Sequence, residues 1–158
     1  MSVLPEEYPA RPNRAERLIT ALVRGQARSR LSHVIHPLLI LRGTDISPAA
    51  AIGARLRLPH GAAGVVIHAT TVLGDDVTVY PNVVIGRADI WRGKAPDYAG
   101  CVIEDGAIIC AGAVVLAKHG TLRVGRGTVV GANAVLTCST GDGELWAGAP
   151  ARKVGVRE

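Results

Sequence analysis

From Asp45 to Thr137 an aliphatic residue returns every six positions, and few folds tolerate that beat. Ile46, Ile52 and Leu58 form one run; Ile67, Leu73, Val79 and Ile85 a second; Ile103, Ile109 and Val115 a third; Val124, Val130 and Leu136 a fourth. A small or β-branched residue precedes most of them by two positions, as at Thr44, Ala50, Thr71, Ala107 and Ala134, and a glycine often follows, as at Gly53, Gly74 and Gly125. A strand with alternating inward side chains also matches even spacing. An antiparallel sandwich or barrel, however, restarts its register at each turn and does not hold one phase through several. The phase fits a short strand, a tight corner and another short strand, with three such units to a coil. Coils stacked in parallel at about 4.8 Å place each aliphatic side chain over another, and the ladder satisfies the backbone. The chain has no Phe, two Trp and three Tyr at 48% hydrophobic residues, which suits a narrow column with little room for rings. The sequence therefore predicts an all-β repeat domain over 45–140, preceded by a helical segment over 1–44 and followed by a short cap over 141–158.

Residues that break the phase must bulge from a corner. Leu58 to Ile67 is a hexad plus three, Ile85 to Ile103 a hexad plus twelve, and Val115 to Val124 a hexad plus three. Counting faces from Ile46 puts the first bulge between faces three and one, and both others between faces one and two. The long loop, Arg87 to Val102, then lies beside the short one that carries Lys118 and His119. In a threefold assembly a corner of one subunit approaches its neighbour, so sites between subunits are expected.

Before the repeats, residues 1 to about 12 are Pro-rich and read as irregular. From Asn13, a plausible cap, RAERLITALVRGQARSRLSHVI carries Leu18, Ile19, Leu22, Val23 and Leu31 at spacings of one amphipathic helix, which Pro37 should end or kink. His33 and His36 are expected to pack within it. Nothing near the start resembles a secretion signal, and VIHPLLIL at 34–41 is too short to span a bilayer, so a cytoplasmic protein is the default. Residues 1–42 hold seven arginines against Glu6, Glu7 and Glu16, or 7 − 3 = +4 of the chain's net +5. Without interleaved aromatics this basic segment reads as a solvated helix face and not a nucleic-acid surface. Cys101, Cys110 and Cys138 form neither a CxxC pair nor an even-numbered framework, which argues against a disulfide scaffold or a zinc site.

The stretch GTDISPAAAIGARLRLPHGAAGVVIHATTVLGDDVTVYPNVVIG, a loop, further hexads and the terminal GAPARKVG together resemble the hexapeptide-repeat acyltransferases, most closely their serine acetyltransferase-like branch. The resemblance implies a left-handed parallel β-helix, a homotrimer or dimer of trimers, and acetyl-CoA as donor, with no metal. By position it makes His60 the catalytic histidine, and the chemistry asks for one: a hydroxyl is a poor nucleophile near neutral pH until a positioned imidazole takes its proton. The same resemblance puts the backbone of Ala111 and Ala132 against the pantetheine arm, and Arg152 and Lys153 against the donor's phosphates. Arginine's planar fork is the better match to phosphate. His119, at the long loop's corner, is the candidate second imidazole. His68 points outward by strand alternation and is placed to orient a partner; Asp97 and Tyr98 are candidates for an acceptor's hydroxyl or amine.

Two departures bear on the acceptor. Serine-specific relatives carry an acidic residue directly before the histidine, and here Pro59 stands there. They also carry a second histidine at the end of the long loop, where this chain reads KAPDYAGCVIEDG. The resemblance thus implies a small hydroxylated acceptor, a sugar or an amino-acid derivative, before free serine. An amino-sugar N-acetyltransferase and a non-catalytic scaffold are the alternatives. A carbonic anhydrase of the same fold would need three converging histidines, and His60, His68 and His119 lack the required close pair.

Overall fold

The computed structural model describes residues 12–26, 30–92 and 97–157. The stretch expected to be irregular before Pro12, and the arginines at 11 and 28, lie outside the described residues. The strands wind around a three-sided coil. Face one holds β1 (Asp45–Ile46), β3 (Val66–Ile67), β6 (Val84–Arg87), β9 (Val114–Ala117) and β12 (Val135–Leu136). Face two holds β2 (Ala51–Ile52), β4 (Thr71–Leu73), β7 (Tyr98–Ile103) and β10 (Gly120–Val124). Face three holds β5 (Thr78–Val79), β8 (Ile108–Ile109), β11 (Val129–Val130), β13 (Glu144–Ala147) and β14 (Arg152–Val156). All pairings are parallel except β13 with β14, the antiparallel hairpin of the C-terminal cap.

The register shows why six residues suffice. Ile46, Ile67, Ile85, Val115 and Leu136 sit one above another on face one. Ile52, Leu73, Ile103 and Val124 do so on face two, and Val79, Ile109 and Val130 on face three. Leu58 joins the top of that third column through a bridge between Arg57 and Thr78. All of these side chains are buried except Ile52 in the first coil, which is half-buried. Each fully buried branched side chain contributes about 1.5–3 kcal/mol, so the column is the main source of stability. The three bulges leave at the corners the phase predicts. The short loop meets the long one, where the Gly120 N–H donates to the Asp97 carbonyl at 2.7 Å.

Two helices close the N-terminal end of the column. Helix α1 (Arg14–Gln26) starts in a reciprocal cap: Asn13 Oδ1 accepts the Glu16 N–H at 2.9 Å, and Glu16 Oε2 accepts the Asn13 N–H at 3.1 Å. Ile19 and Val23 lie one turn apart and are 2% and 0% exposed, packed in one cluster with Leu39, Ile46 and Leu58. Gln26 Nε2 donates to the Ile46 carbonyl at 2.7 Å, fixing the helix to the first coil.

The single helix expected from the apolar spacing is in fact two. Helix α2 (Ser32–Leu41) is separate, and Pro37 lies inside it instead of ending it. The stop comes from Gly43 at φ 77°: its N–H donates to the Ile40 carbonyl at 2.8 Å, and the Thr44 N–H reaches the Leu39 carbonyl at 2.9 Å. That paired closure satisfies the last carbonyls, which Pro37 cannot do, since proline removes a donor near the middle of the helix and leaves its end untouched. Leu18 and Leu31, assigned above to the apolar face, are 60% and 59% exposed, because the buried stripe of α1 runs through Ile19, Val23 and Gln26. His33 is exposed as well, whereas His36 is half-buried and pairs through Nε2 with Asp45 Oδ1 at 3.0 Å.

Candidate functional site

His60 sits where face three turns into face one. The turn Pro59–Ala62 forces three successive residues to positive φ: 55° at His60, 70° at Gly61 and 59° at Ala62. A non-glycine residue pays an energetic penalty there, so the conformation is held from outside. Part of the hold is Glu16, whose Oε1 accepts the His60 backbone N–H at 3.1 Å from 44 residues away. The imidazole itself is exposed and has no hydrogen-bond partner among the described residues. Beside it opens a cleft of about 520 Å³ between α1 and the start of face three, lined among others by Glu16, Arg17, Arg24, Arg57, His60 and Tyr80. That size suits a small molecule.

The same corner continues down the stack through Pro81, Ala111, Ala132 and Gly148, one residue per coil. Ala111 and Ala132 are exposed. The Ala111 carbonyl accepts the Asn133 N–H at 3.0 Å, but the N–H groups of Ala111 and Ala132 meet no acceptor among the described residues. Four interstrand steps of about 4.8 Å separate His60 from Gly148, roughly 19 Å of edge with open donors along it. Arg152 opens β14 just below. It is exposed, and among the described residues its Nη1 donates only to the adjacent Ala151 carbonyl at 2.9 Å.

Lys153 is engaged differently. Its Nζ pairs with Glu144 Oε1 at 2.7 Å, and the other oxygen of Glu144 accepts from Trp146 Nε1 at 2.9 Å and from the Gly141 N–H at 2.7 Å. With Lys153 first among these partners, the Glu144 carboxyl is held at about 2 against an ordinary 4.5. A depressed carboxyl contributes stability that is complete above its unfolded value and is lost as pH falls through the folded one. The cap should therefore loosen between pH 4.5 and about 2. Trp146 fluorescence, read with Glu144→Gln as control, checks this: a transition of equal size in the variant would assign it to another group.

A second constellation lies at the corner between faces one and two. His119 Nδ1 and Asp97 Oδ2 are 2.8 Å apart, an imidazole oriented by a carboxylate, with both side chains exposed. One coil away, Thr70 Oγ1 donates to the Tyr98 hydroxyl at 3.0 Å and contacts His68 Nδ1 at 2.9 Å. The His68 and Tyr98 rings meet edge to face at 5.8 Å. The Arg87 guanidinium stands 5.9 Å from the Tyr98 ring centre and is tied to Asp89 at 3.0 Å. Burial raises the Tyr98 hydroxyl above its ordinary value.

Of the residues singled out by sequence, one corner thus gathers His60, Ala111, Ala132 and Arg152, and another gathers His68, Asp97, Tyr98 and His119. His60 and His119 are not neighbours within one chain. The sequence reading missed Glu16, Arg24 and Arg57 around the cleft; only Glu16 left a trace, three residues after the Asn13 cap. Cys101 is buried, its thiol pushed up to about 11 by desolvation, and Cys110 is half-buried, so neither is poised for thiolate chemistry. Among the described residues no group of three His, Cys, Asp or Glu could hold a metal ion, and no helix is long and apolar enough to cross a membrane.

Comparison with known proteins adds the following. No family model matches the chain. It is 40% identical over 116 residues to a serine acetyltransferase of Mycobacterium tuberculosis, covering 73% of this chain and 47% of that protein. It is 38% identical over 114 residues to a serine acetyltransferase of Helicobacter pylori, covering 72% and 62%. Among crystal structures, the serine acetyltransferase of Brucella abortus in complex with coenzyme A superposes with TM-score 0.71 at 30% identity, over 91% of this chain and 54% of that one. The Neisseria gonorrhoeae enzyme in complex with serine gives 0.74 at 26% identity, over 89% and 57%. The chain spans about half the length of the relatives it matches.

Proposed function

Since the chain belongs to the serine acetyltransferase-like branch of the hexapeptide-repeat acyltransferases, we propose that it is an acetyl-CoA-dependent O-acetyltransferase acting on a small hydroxylated acceptor. The observation that carries this reading is one edge: a free imidazole at the mouth of a cleft, open backbone donors below it, and an exposed guanidinium at the far end. Extended along that edge, the donor would lay its pantetheine arm against Ala111 and Ala132 and bring its phosphates to Arg152. The handedness of the coil follows the family, left-handed.

In the reaction, His60 takes the proton of the acceptor hydroxyl as the oxygen attacks the thioester carbonyl. A backbone N–H at the corner holds the oxyanion of the tetrahedral intermediate, and its collapse expels the coenzyme A thiolate, to which the imidazolium returns the proton. Lys153 is committed to Glu144, so Arg152 is the residue we assign to the phosphates. His119, oriented by Asp97, supplies the second imidazole from a neighbouring protomer of a homotrimer, since within one chain it occupies another corner. Exposed Ile90 and Trp91 on the same long loop, 76% and 75%, support burial of that corner by association.

Arg152→Ala tests the placement of the donor. The apparent KM for acetyl-CoA should rise about tenfold, the scale of one charge-assisted contact, with kcat little changed. A change confined to the acceptor's KM would remove Arg152 from the donor site. If titration with acetyl-CoA showed no binding to the unmodified chain, the non-catalytic scaffold would be the correct reading.

A further inference from the structure

We infer that Glu16 is a positioning residue of the transfer reaction: from helix α1 it holds the turn that aims the His60 imidazole. This rests on the reading of His60 as the base, and it makes the N-terminal helix part of the catalytic machinery. The turn Pro59–Ala62 is fastened unevenly. Its downstream end is clamped by the coil, for Ala62 is 0% exposed and its carbonyl accepts the Val65 N–H at 3.1 Å and the hydroxyl of buried Thr44 at 3.0 Å. In the middle the Gly61 N–H reaches the Leu58 carbonyl at a longer 3.3 Å. At the upstream end the coil offers nothing. Among the described residues the His60 N–H has one acceptor, Glu16 Oε1 at 3.1 Å. His60 is exposed and stands at φ 55°, a conformation that a non-glycine residue leaves when nothing holds it.

Glu16 is itself fixed where it meets the turn. Its Oε2 accepts the Asn13 N–H at 3.1 Å, and Oε1 also accepts from Asn13 Nδ2 at 3.2 Å. With N–H groups on both oxygens, the carboxylate is occupied in holding backbone and cap. Three residues on, a neighbour on the same helix surface, Ile19 is 2% exposed, and its Cγ1 lies 3.9 Å from where a Cβ on Gly61 would stand. Glu16 and Ile19 therefore meet consecutive residues of the turn, one through a hydrogen bond and the other through packing. Removing the Glu16 side chain frees an amide that borders water, and the helix keeps its cap because the Glu16 N–H accepted by Asn13 Oδ1 at 2.9 Å is backbone. The fold loses little. The imidazole loses its fixed origin, and displacing a catalytic group by about 1 Å costs on the order of 10²-fold in rate.

The test compares Glu16→Ala with Glu16→Gln, each alone and combined with His60→Asn. Glutamine keeps an oxygen for the His60 N–H and removes the charge. Turnover is read as release of the coenzyme A thiol, with L-serine, the molecule bound by the Neisseria gonorrhoeae enzyme, as the probe acceptor. Glu16→Ala should lower kcat about 10- to 10²-fold, with the KM for acetyl-CoA within about twofold of the parent and the melting temperature within about 4 °C. Glu16→Gln should restore most of the lost kcat. In the His60→Asn background Glu16→Ala should cost nothing further, because a residue that acts through the base has no effect once the base is gone. The chain has five histidines, so ¹⁵N-histidine labelling leaves five backbone amide signals, and His60→Asn identifies its own by deletion. Hydrogen exchange at that amide should be slow in the parent and in Glu16→Gln and fast in Glu16→Ala, which reads the tie without turnover and whatever acceptor the chain uses. The proposal is overturned if Glu16→Ala keeps its kcat, if its melting temperature falls further and so assigns the loss to folding, or if the His60 amide exchanges freely in the parent. It is overturned as well if glutamine is as impaired as alanine, which assigns the effect to the charge. A His60→Asn variant with full transfer would refute the base itself, whereas losses that add in the double variant would refute the positioning role alone.

Discussion

His60→Asn is expected to lower kcat for acetyl transfer about 10²–10⁴-fold, the usual contribution of a positioned general base, while leaving the fold and the KM for acetyl-CoA close to those of the parent. Asparagine is the better replacement because His60 sits at φ 55°. Asparagine tolerates the left-handed region, whereas alanine there costs about 1–2 kcal/mol and mixes a folding defect with a chemical one. The backbone N–H that donates to Glu16 survives the change, so the link between the turn and α1 stays intact. Thermal melting and acetyl-CoA titration establish that the variant is folded and loaded; release of the coenzyme A thiol then measures the chemistry alone. A variant that keeps turnover within a factor of a few would mean that the proton leaves by another route, and His119 of a neighbouring protomer would be the next residue to change.

How much of this was legible beforehand depends on the range of the interaction. The three faces, the stacking order and the corners of all three bulges follow from counting, because a hexad is a local rule that each coil obeys independently. The adjacency of His119 and Asp97, 22 residues apart, was readable for the same reason. Pro37 misled because its effect on a helix is local, whereas the helix end is set by Gly43 and Thr44 closing onto Leu39 and Ile40. The cleft was not legible at all. It exists because α1 lies across the first coil, a docking set by Ile19 and Val23 against Leu58 and by Gln26 on the Ile46 carbonyl. No periodicity in the chain says where a helix will come to rest. Pro59, read as the loss of an acidic neighbour for the histidine, takes on a different aspect once Glu16 is found at the same turn: a carboxylate is present there, supplied from a helix.

Gly74→Ala and Gly127→Ala separate two reasons for which a repeat of this kind carries glycine, and the first should be much the more damaging. At Gly74 φ lies outside the left-handed region but the space is filled: an added Cβ would lie 2.8 Å from the Asp105 backbone nitrogen and 3.1 Å from the Glu104 carbonyl carbon, both in the next coil. Those atoms cannot yield without separating the coils, since the Gly74 N–H donates to the Ile103 carbonyl at 2.7 Å and Asp105 Oδ1 accepts the Asp75 N–H at 2.8 Å. Overpacking at about 1–3 kcal/mol, together with the weakening of a corner hydrogen bond worth about 1 kcal/mol, gives an expected loss of about 2–4 kcal/mol. Gly127 presents the opposite case. Nothing lies within 4 Å of its added Cβ, but its φ is +60°. Only the intrinsic penalty of the left-handed conformation applies, about 1–2 kcal/mol. For a domain of this size each kcal/mol moves the melting temperature by about 2–4 °C, so Gly74→Ala should melt roughly 4–16 °C below the parent and Gly127→Ala at about half that displacement or less. Equal losses would mean that the coils at the corner between faces two and three are not in contact, and that the parallel stack fails at the corner where it is most tightly specified.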